Sequence, residues 1–215
     1  MITLDDLDQL ADEIREQMEQ VNAARDQAYT RSRALVGICA RAIRAVHREE
    51  WETAESLIAK AKTAADDLVG DVSPYPSLYY AGYTQDAMKE FVEANLTYAL
   101  VRQRPLPTPT ELGAEDNTWL NGLAEAATEL RRRILDIIRH DHSDDAENLL
   151  QAMDQIYSIL VTFDFSDNVT GGLRRRTDTV RAVLERTRGD MTNSLRQTQL
   201  EQALASLEQK IERGT

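Results

Sequence analysis

Apolar residues recur at intervals of three and four along most of the chain, which is the period of an amphipathic α-helix. The pattern predicts long helices over about 3–46, 50–69, 78–102, 117–139, 144–163 and 173–211, with a short helical turn at 110–113. Proline or glycine marks breaks at 70–76, 105–109 and 164–172, and a short polar connector lies at 140–143. No strand-like alternation, internal repeat or low-complexity tract is present. We therefore predict an all-α fold, with residues 1–215 as a single helical domain.

Polar and charged residues near the expected helix starts support these boundaries. Thr3 and Asp6 form a variant of a capping box before the first helix, and Ser143 is a suitable N-cap for the fifth.

Three consecutive arginines, 174–176, open the last helix, where positive charge opposes the helix dipole. This mismatch indicates an anion or an acidic partner near the arginines.

The composition agrees with a helical protein and restricts its partners. Only 9 glycines and 5 prolines occur in 215 residues, and 42% of the residues are hydrophobic. The formal net charge is −12, and the basic residues are 21 arginines but only 4 lysines, a balance that we associate with salt-loving organisms. A strongly acidic protein repels phosphates, so binding of nucleic acid requires local basic patches or a metal ion.

Two pairs of glutamates carry the most informative candidate chemistry. Glu90 and Glu93 lie three residues apart in one predicted helix, and Glu125 and Glu129 lie four apart in another. Both spacings place the two side chains on one face of a helix, about 5–6 Å apart at their Cβ atoms. If the helices are neighbours, four carboxylates converge in a seat for one or two hard divalent cations such as Mg²⁺.

A helical wheel places both acidic pairs opposite the apolar faces of their helices. The third long helix has its apolar face at Ala87, Met88, Phe91, Val92, Tyr98 and Ala99, and the fourth at Trp119, Leu120, Leu123, Ala127, Leu130, Ile134, Ile137 and Ile138. Asp86 and Thr97 share the outer face with the glutamates of the third helix. From the residues alone, a solvated acidic surface is the preferred interpretation, and the lining of a cavity or an interface is the alternative.

Basic residues form one candidate patch on the first helix. Arg33, Arg41, Arg44 and Arg48 follow one stripe, with His47 close to it. Binding of phosphates and pairing with acids of neighbouring helices are equally good interpretations of this arginine stripe.

The remaining reactive residues favour structural roles. His140 and His142 flank Asp141 in the polar connector, where a solvated turn is a better interpretation than a metal site. Cys39 is the only cysteine and lies in an apolar run, which is typical of a small buried hydrophobe. The N-terminus lacks the features of a signal peptide, and no apolar run approaches the ~20 residues of a membrane span. We therefore expect a cytoplasmic protein without membrane contact.

Several segments resemble the translin family, and in particular its Trax branch (translin-associated factor X). Residues 89–94, Lys-Glu-Phe-Val-Glu-Ala, are similar to the Trax stretch Gln-Glu-Tyr-Val-Glu-Ala. Residues 123–132 resemble the family helix in which an acidic residue precedes Glu-Leu and basic residues. Residues 45–48 resemble a Leu-Leu-His-Arg run, and residues 173–181 resemble the basic start of the last family helix. The order and lengths of the helices also agree.

The resemblance implies an all-α bundle of about seven helices that assembles into a closed, hollow homo-oligomer. It further implies a metal-dependent endoribonuclease that cleaves single-stranded RNA inside the shell with Mg²⁺ or Mn²⁺. By position, Glu90, Glu93, Glu125 and Glu129 match the catalytic, metal-binding carboxylates of the Trax branch, which has aspartate where this chain has Glu125. We expect an archaeal homologue.

The alternative function is a translin-like protein that binds single-stranded RNA or DNA without cleaving it. In either case we expect Arg33, Arg41, Arg44 and Arg48 to contact the nucleic acid. A ferritin-like di-iron protein is disfavoured, because such sites need Glu-x-x-His motifs and neither acidic pair contains histidine.

Overall fold

The computed structural model describes residues 6–139 and 144–214, and helices account for most of them. No strand occurs in these two ranges. The helices are α1 (Leu7–His47), α2 (Trp51–Val72), α3 (Pro76–Tyr79), α4 (Gly82–Val101), α5 (Pro109–Leu112), α6 (Asp116–Ile138), α7 (Asp144–Leu160), α8 (Asp167–Thr170) and α9 (Leu173–Gly214). The predicted all-α class is confirmed. The predicted cap at Thr3 and the connector with His140, His142 and Ser143 lie outside the described residues.

The predicted long helices are all present, and the differences are at their ends. The predicted break at Gly70 is wrong, because α2 continues to Val72 and the helix-type hydrogen bonding extends to the amide of Ser73. One glycine costs a helix only about 1 kcal/mol, which packing of the apolar face of α2 can offset. The segment that begins with Pro76 forms the separate one-turn helix α3, since proline suits the first helical position. Consequently α4 begins at Gly82, four residues later than predicted.

Helix α4 occupies the centre of the fold. It packs against α1, α2 and α6, while α7 and α9 pack mainly against α6 and against each other. The predicted apolar face of α4, which includes Phe91 and Val92, is buried in the main core. A second core cluster lies between α6, α7 and α9 around Leu130, Ile134 and Met153. In the described part of the chain, no helix combines the length and the apolarity needed to cross a bilayer.

The expectation that the outer face of α4 is solvated is wrong for two residues. Glu93 is only 8% exposed and Thr97 is 0% exposed. The reason is that α4 is enclosed from several sides, so α1 and α6 cover the face that the wheel assigned to solvent. An isolated helical wheel detects the apolar face of a helix, but it does not show whether a further helix packs on the polar face. The acidic pairs therefore lie at an interface between helices.

Candidate metal centre

A glycine brings α6 unusually close to α4 beside the acidic pairs. A Cβ atom at Gly122 would lie 2.6 Å from Val92 Cγ1 and 3.1 Å from the backbone oxygen of Lys89. These distances leave no room for a side chain, so the backbones of the two helices approach closely at this point. Glu125 follows Gly122 by three residues and is therefore held against the part of α4 that carries Glu90 and Glu93.

Three of the four predicted carboxylates converge. One oxygen from each of Glu90, Glu93 and Glu125 lies within 4.8 Å of the other two, and we call these residues the carboxylate cluster. Glu90 and Glu125 are partly exposed, whereas Glu93 is buried at the base. Carboxylate oxygens are the ligands that hard divalent cations prefer. The donor set and its spacing therefore fit Mg²⁺ or Mn²⁺.

The electrostatic environment of Glu93 is the most unusual in the cluster. Burial of its carboxyl group, followed by repulsion from the other three acids of the two pairs, raises the pKa of Glu93 to about 8. The charge of Lys89 acts in the opposite direction. In the described part of the chain, no basic group forms an ion pair with Glu93. A buried acid crowded by like charges favours either a proton or a bound cation.

Lys89 contacts two of the carboxylates in the cluster. Its Nζ atom lies 2.8 Å from Oε1 and 2.6 Å from Oε2 of Glu125, and 3.3 Å from Oε1 of Glu90. Burial lowers the pKa of Lys89, but its hydrogen bond to Glu125 and the charges of both glutamates raise it, and the net shift is upward. The ammonium is therefore held in its charged form between the two carboxylates.

Arg176 approaches Glu125 from the start of α9. Its Nε donates to Oε1 of Glu125 at 2.9 Å, and its Nη1 donates to Oδ1 of Asn121 at 3.1 Å and to the carbonyl of Gly171 at 3.3 Å. Asn121 in turn donates to the carbonyl of Thr170 at 2.7 Å. Glu125 is thus the acidic partner that the arginines at the start of this helix predicted.

Glu129 lies beside the carboxylate cluster and is bound to a histidine. Its Oε2 is 2.6 Å from Nε2 of His47, whose side chain is 1% exposed. Because a carboxylate only accepts, the imidazole Nε2–H is the donor. His47 is therefore buried, whereas the arginine stripe beside it on α1 is exposed. Nδ1 of His47 is buried and has no hydrogen-bond partner among the described residues.

Cys39 faces the same region from α1 but is not a nucleophile. Its side chain is fully buried, as predicted. Burial, together with the charges of Glu90 and Glu93, raises the pKa of the thiol to about 12. The thiol therefore stays protonated and acts as a small packing residue.

The arginine stripe forms a separate surface. Arg33, Arg41, Arg44 and Arg48 are all exposed. At about 100° per residue, they lie on the side of α1 away from Cys39, so the structure does not bring them into the carboxylate cluster. Within the described residues, only Arg48 has an acidic neighbour, with its Nη1 4.0 Å from Oε1 of Glu50. Pairing with acids of neighbouring helices, one of the two interpretations from sequence, is therefore not seen for the other three.

No protein-family model matches the chain. Its sequence is 26% identical to the uncharacterized protein MJ0175 of Methanocaldococcus jannaschii over 186 residues, which cover 85% of this chain and 82% of that protein. Its fold is similar to that of AfC3PO in a structure of the AfC3PO–duplex RNA complex, with a TM-score of 0.79 and 30% sequence identity. The alignment covers 86% of this chain and 95% of AfC3PO. The structure of apo-NeC3PO has a TM-score of 0.75 and 20% identity, covering 90% of this chain and 100% of NeC3PO.

Proposed function

This chain belongs to the translin family, and we propose that it is a metal-dependent endoribonuclease that cleaves single-stranded RNA. The observation that carries the proposal is the convergence of Glu90, Glu93 and Glu125 within 4.8 Å at the contact between α4 and α6. Solvated surface acids avoid one another, whereas these acids are held together by helix packing, with Glu93 buried. Such an arrangement costs folding free energy unless a cation or protons offset the repulsion.

The residues divide into ligands and supporting groups. Glu90, Glu93 and Glu125 would hold Mg²⁺ or Mn²⁺, and the chemistry that the ion supplies is neutralisation of the scissile phosphate and activation of water for attack on phosphorus. Glu129 adds negative charge beside the ligands and keeps a proton on Nε2 of His47. Arg176 fixes the orientation of Glu125 from the start of α9.

The test is cleavage of labelled single-stranded RNA with Mg²⁺ and with EDTA. We expect cleavage only with Mg²⁺, and a loss of several orders of magnitude in Glu93→Gln, because removing a ligand removes the ion's charge from the transition state. Glu129→Gln should also lose activity. Glu52→Gln, on the exposed surface of α2, is the matched control with the same change of charge. Cleavage that persists in EDTA or in Glu93→Gln would contradict the proposal.

Binding of single-stranded RNA or DNA without cleavage is the second candidate function. It is supported by the exposed arginine stripe, in which Arg33, Arg41 and Arg44 form no ion pair within the described residues. A structure of AfC3PO, whose alignment covers 86% of this chain, contains duplex RNA and supports binding of RNA in general. If this function alone is present, EDTA should leave binding unchanged and no cleavage should be measured.

The arginine stripe has its own test. Reversing the charge in the double variant Arg41→Glu/Arg44→Glu should weaken RNA binding for all sequences alike and reduce its salt dependence, because contacts to phosphate carry no sequence information. The matched control is Arg25→Glu/Arg15→Glu, which reverses two exposed arginines nearer the start of α1. Fluorescence anisotropy with several RNA sequences measures the effect. Unchanged binding in the first double variant would move the RNA site away from this stripe.

We also propose that copies of this chain form a closed homo-oligomer. Leu200, Leu204 and Leu207 are each more than half exposed, and their spacing of four and three residues aligns them along one side of α9. Near the start of α1, Ile14 and Met18 are also exposed. Such aligned apolar residues are typical of helices that pack against another helix. Light scattering should give a mass several times 24.3 kDa, and a monomer at high salt would contradict the assembly.

A further inference from the structure

Lys89 lies where the proposed metal ion would have to bind. The chain has only four lysines, and the side chain of this one is just 12% exposed. Its ammonium contacts both oxygens of Glu125 and one oxygen of Glu90. It therefore engages two of the three members of the carboxylate cluster, and only Glu93 is left without such a partner in the described part of the chain.

The ammonium of Lys89 and a divalent ion bound to Glu125 would lie within a few ångströms of each other. An ion ligated by Glu125 would lie about 2–2.5 Å from a carboxylate oxygen, and Lys89 Nζ already lies 2.8 and 2.6 Å from the two oxygens. Oε1 also accepts from Arg176. Two cations so close together in a half-buried site repel each other strongly, because little water is present to screen them.

Of the two basic residues on Glu125, Lys89 is the one that can leave. Arg176 is additionally bound to Asn121 and to the carbonyl of Gly171, and these contacts remain if Glu125 turns towards an ion. Within the described residues, the ammonium of Lys89 contacts carboxylates only. Its flexible four-carbon stem allows the charge to move without a change in the backbone.

We propose that Lys89 is an internal competitor of the divalent ion: its ammonium neutralises Glu90 and Glu125 in the metal-free protein and leaves Glu125 when the ion binds. The inference rests on the metal centre of the proposed function and adds the residue that sets its affinity. Two effects of opposite sign follow for Lys89→Gln. The metal-free protein loses an ion pair and becomes less stable, whereas its affinity for the ion increases.

The experiment is titration of the metal-free protein with MnCl₂, with free Mn²⁺ followed by electron paramagnetic resonance and without RNA. Lys89→Gln should bind Mn²⁺ roughly 10- to 100-fold more tightly than wild type, the range that corresponds to one charge-assisted hydrogen bond lost from the competing state. Lys89→Arg keeps the charge and should bind no more tightly than wild type. Lys62→Gln is the matched control, because it removes the same charge from the surface of α2, where Lys62 pairs with Asp66.

Melting temperatures in EDTA complete the test. A fall for Lys89→Gln, together with tighter Mn²⁺ binding, supports competition. The same fall with unchanged or weaker Mn²⁺ binding would overturn it, since Lys89 would then only stabilise the fold or position Glu125. Tighter binding by Lys62→Gln or Lys89→Arg would also overturn it, because net charge or side-chain shape would then be the cause.

The failure of the metal centre itself gives a different result. If Glu93→Gln binds Mn²⁺ as tightly as wild type, the ion binds elsewhere and both proposals fall, whereas equal binding by wild type and Lys89→Gln refutes only the role of Lys89.

If Lys89→Gln does not fold, acetylation of wild-type lysines followed by mass spectrometry replaces it. Addition of Mn²⁺ should increase the acetylation of Lys89 relative to the exposed Lys60, and an unchanged ratio would overturn the competition.

Discussion

Replacing Glu93 by glutamine should make the stability of the metal-free protein much less sensitive to alkaline pH. Burial among the other acids raises the pKa of Glu93 to about 8 in the folded protein, against an ordinary value of 4.5. Between these two values the folded state holds a proton that the unfolded state has lost. The stabilisation from this proton is therefore complete below about pH 4.5 and is lost progressively as the pH rises through 8.

The size of the effect follows from the two pKa values. Each pKa unit between the folded and unfolded states corresponds to about 1.4 kcal/mol. The shift from 4.5 to about 8 therefore lowers the free energy of unfolding by about 5 kcal/mol once Glu93 is ionised in both states. Roughly 2–3 kcal/mol of this loss falls between pH 6 and pH 9. Glutamine has no proton to lose. The free energy of unfolding of Glu93→Gln, relative to that of wild type, should therefore increase by roughly 2–3 kcal/mol between pH 6 and pH 9.

Urea unfolding followed by circular dichroism, in EDTA and at a fixed protomer concentration, measures this difference at pH 6 and pH 9. The exposed Glu52→Gln variant is the control, and its difference from wild type should be the same at both pH values. If Glu93→Gln and wild type lose stability in parallel, the carboxyl of Glu93 is not buried among like charges as described. A large loss of stability in Glu93→Gln at both pH values would indicate instead a structural role for the carboxylate.

Two further changes test how the site and the assembly are built. Gly122→Ala should separate α6 from α4, since the added Cβ would lie 2.6 Å from Val92 Cγ1. We expect the free energy of unfolding in urea to fall by roughly 1–3 kcal/mol and the affinity for Mn²⁺ to decrease. A variant with unchanged stability and affinity would refute the close approach of the two helices. The double variant Leu204→Glu/Leu207→Glu should reduce the mass measured by light scattering. The control Gln202→Glu, on the opposite side of α9, should leave the mass unchanged. An intact oligomer in the double variant would exclude this surface from the assembly.

The helices could be predicted from the sequence because their signal is local. Periodic apolar residues and the prolines between them placed the long helices to within a few residues in most cases. The exceptions depend on contacts outside the helix concerned. Gly70 predicts the end of a helix, because glycine is a poor helix former, but packing of α2 against α1 retains the helix to Val72.

The candidate site shows the same limit more clearly. The spacing within each acidic pair, together with the resemblance to the Trax branch, predicts that all four glutamates converge, and the structure brings three of them together. Glu129 lies outside the carboxylate cluster and binds His47, which is 82 residues away in sequence. The partner of Glu129 could not be found from local pattern, because the contact depends on how α1 and α6 are each placed around α4. In contrast, three arginines at the wrong end of a helix dipole did predict an acidic partner, since that signal is local.

Anomalous diffraction from crystals that contain Mn²⁺ locates the bound ion directly. We expect a peak at coordination distance, about 2.0–2.3 Å, from carboxylate oxygens of Glu90, Glu93 and Glu125, and no peak there in Glu93→Gln. With the ion bound, Lys89 Nζ should no longer contact Glu125. A wild-type crystal with Mn²⁺ bound elsewhere, and with Lys89 still between Glu90 and Glu125, would contradict the assignment of this cluster as the metal centre.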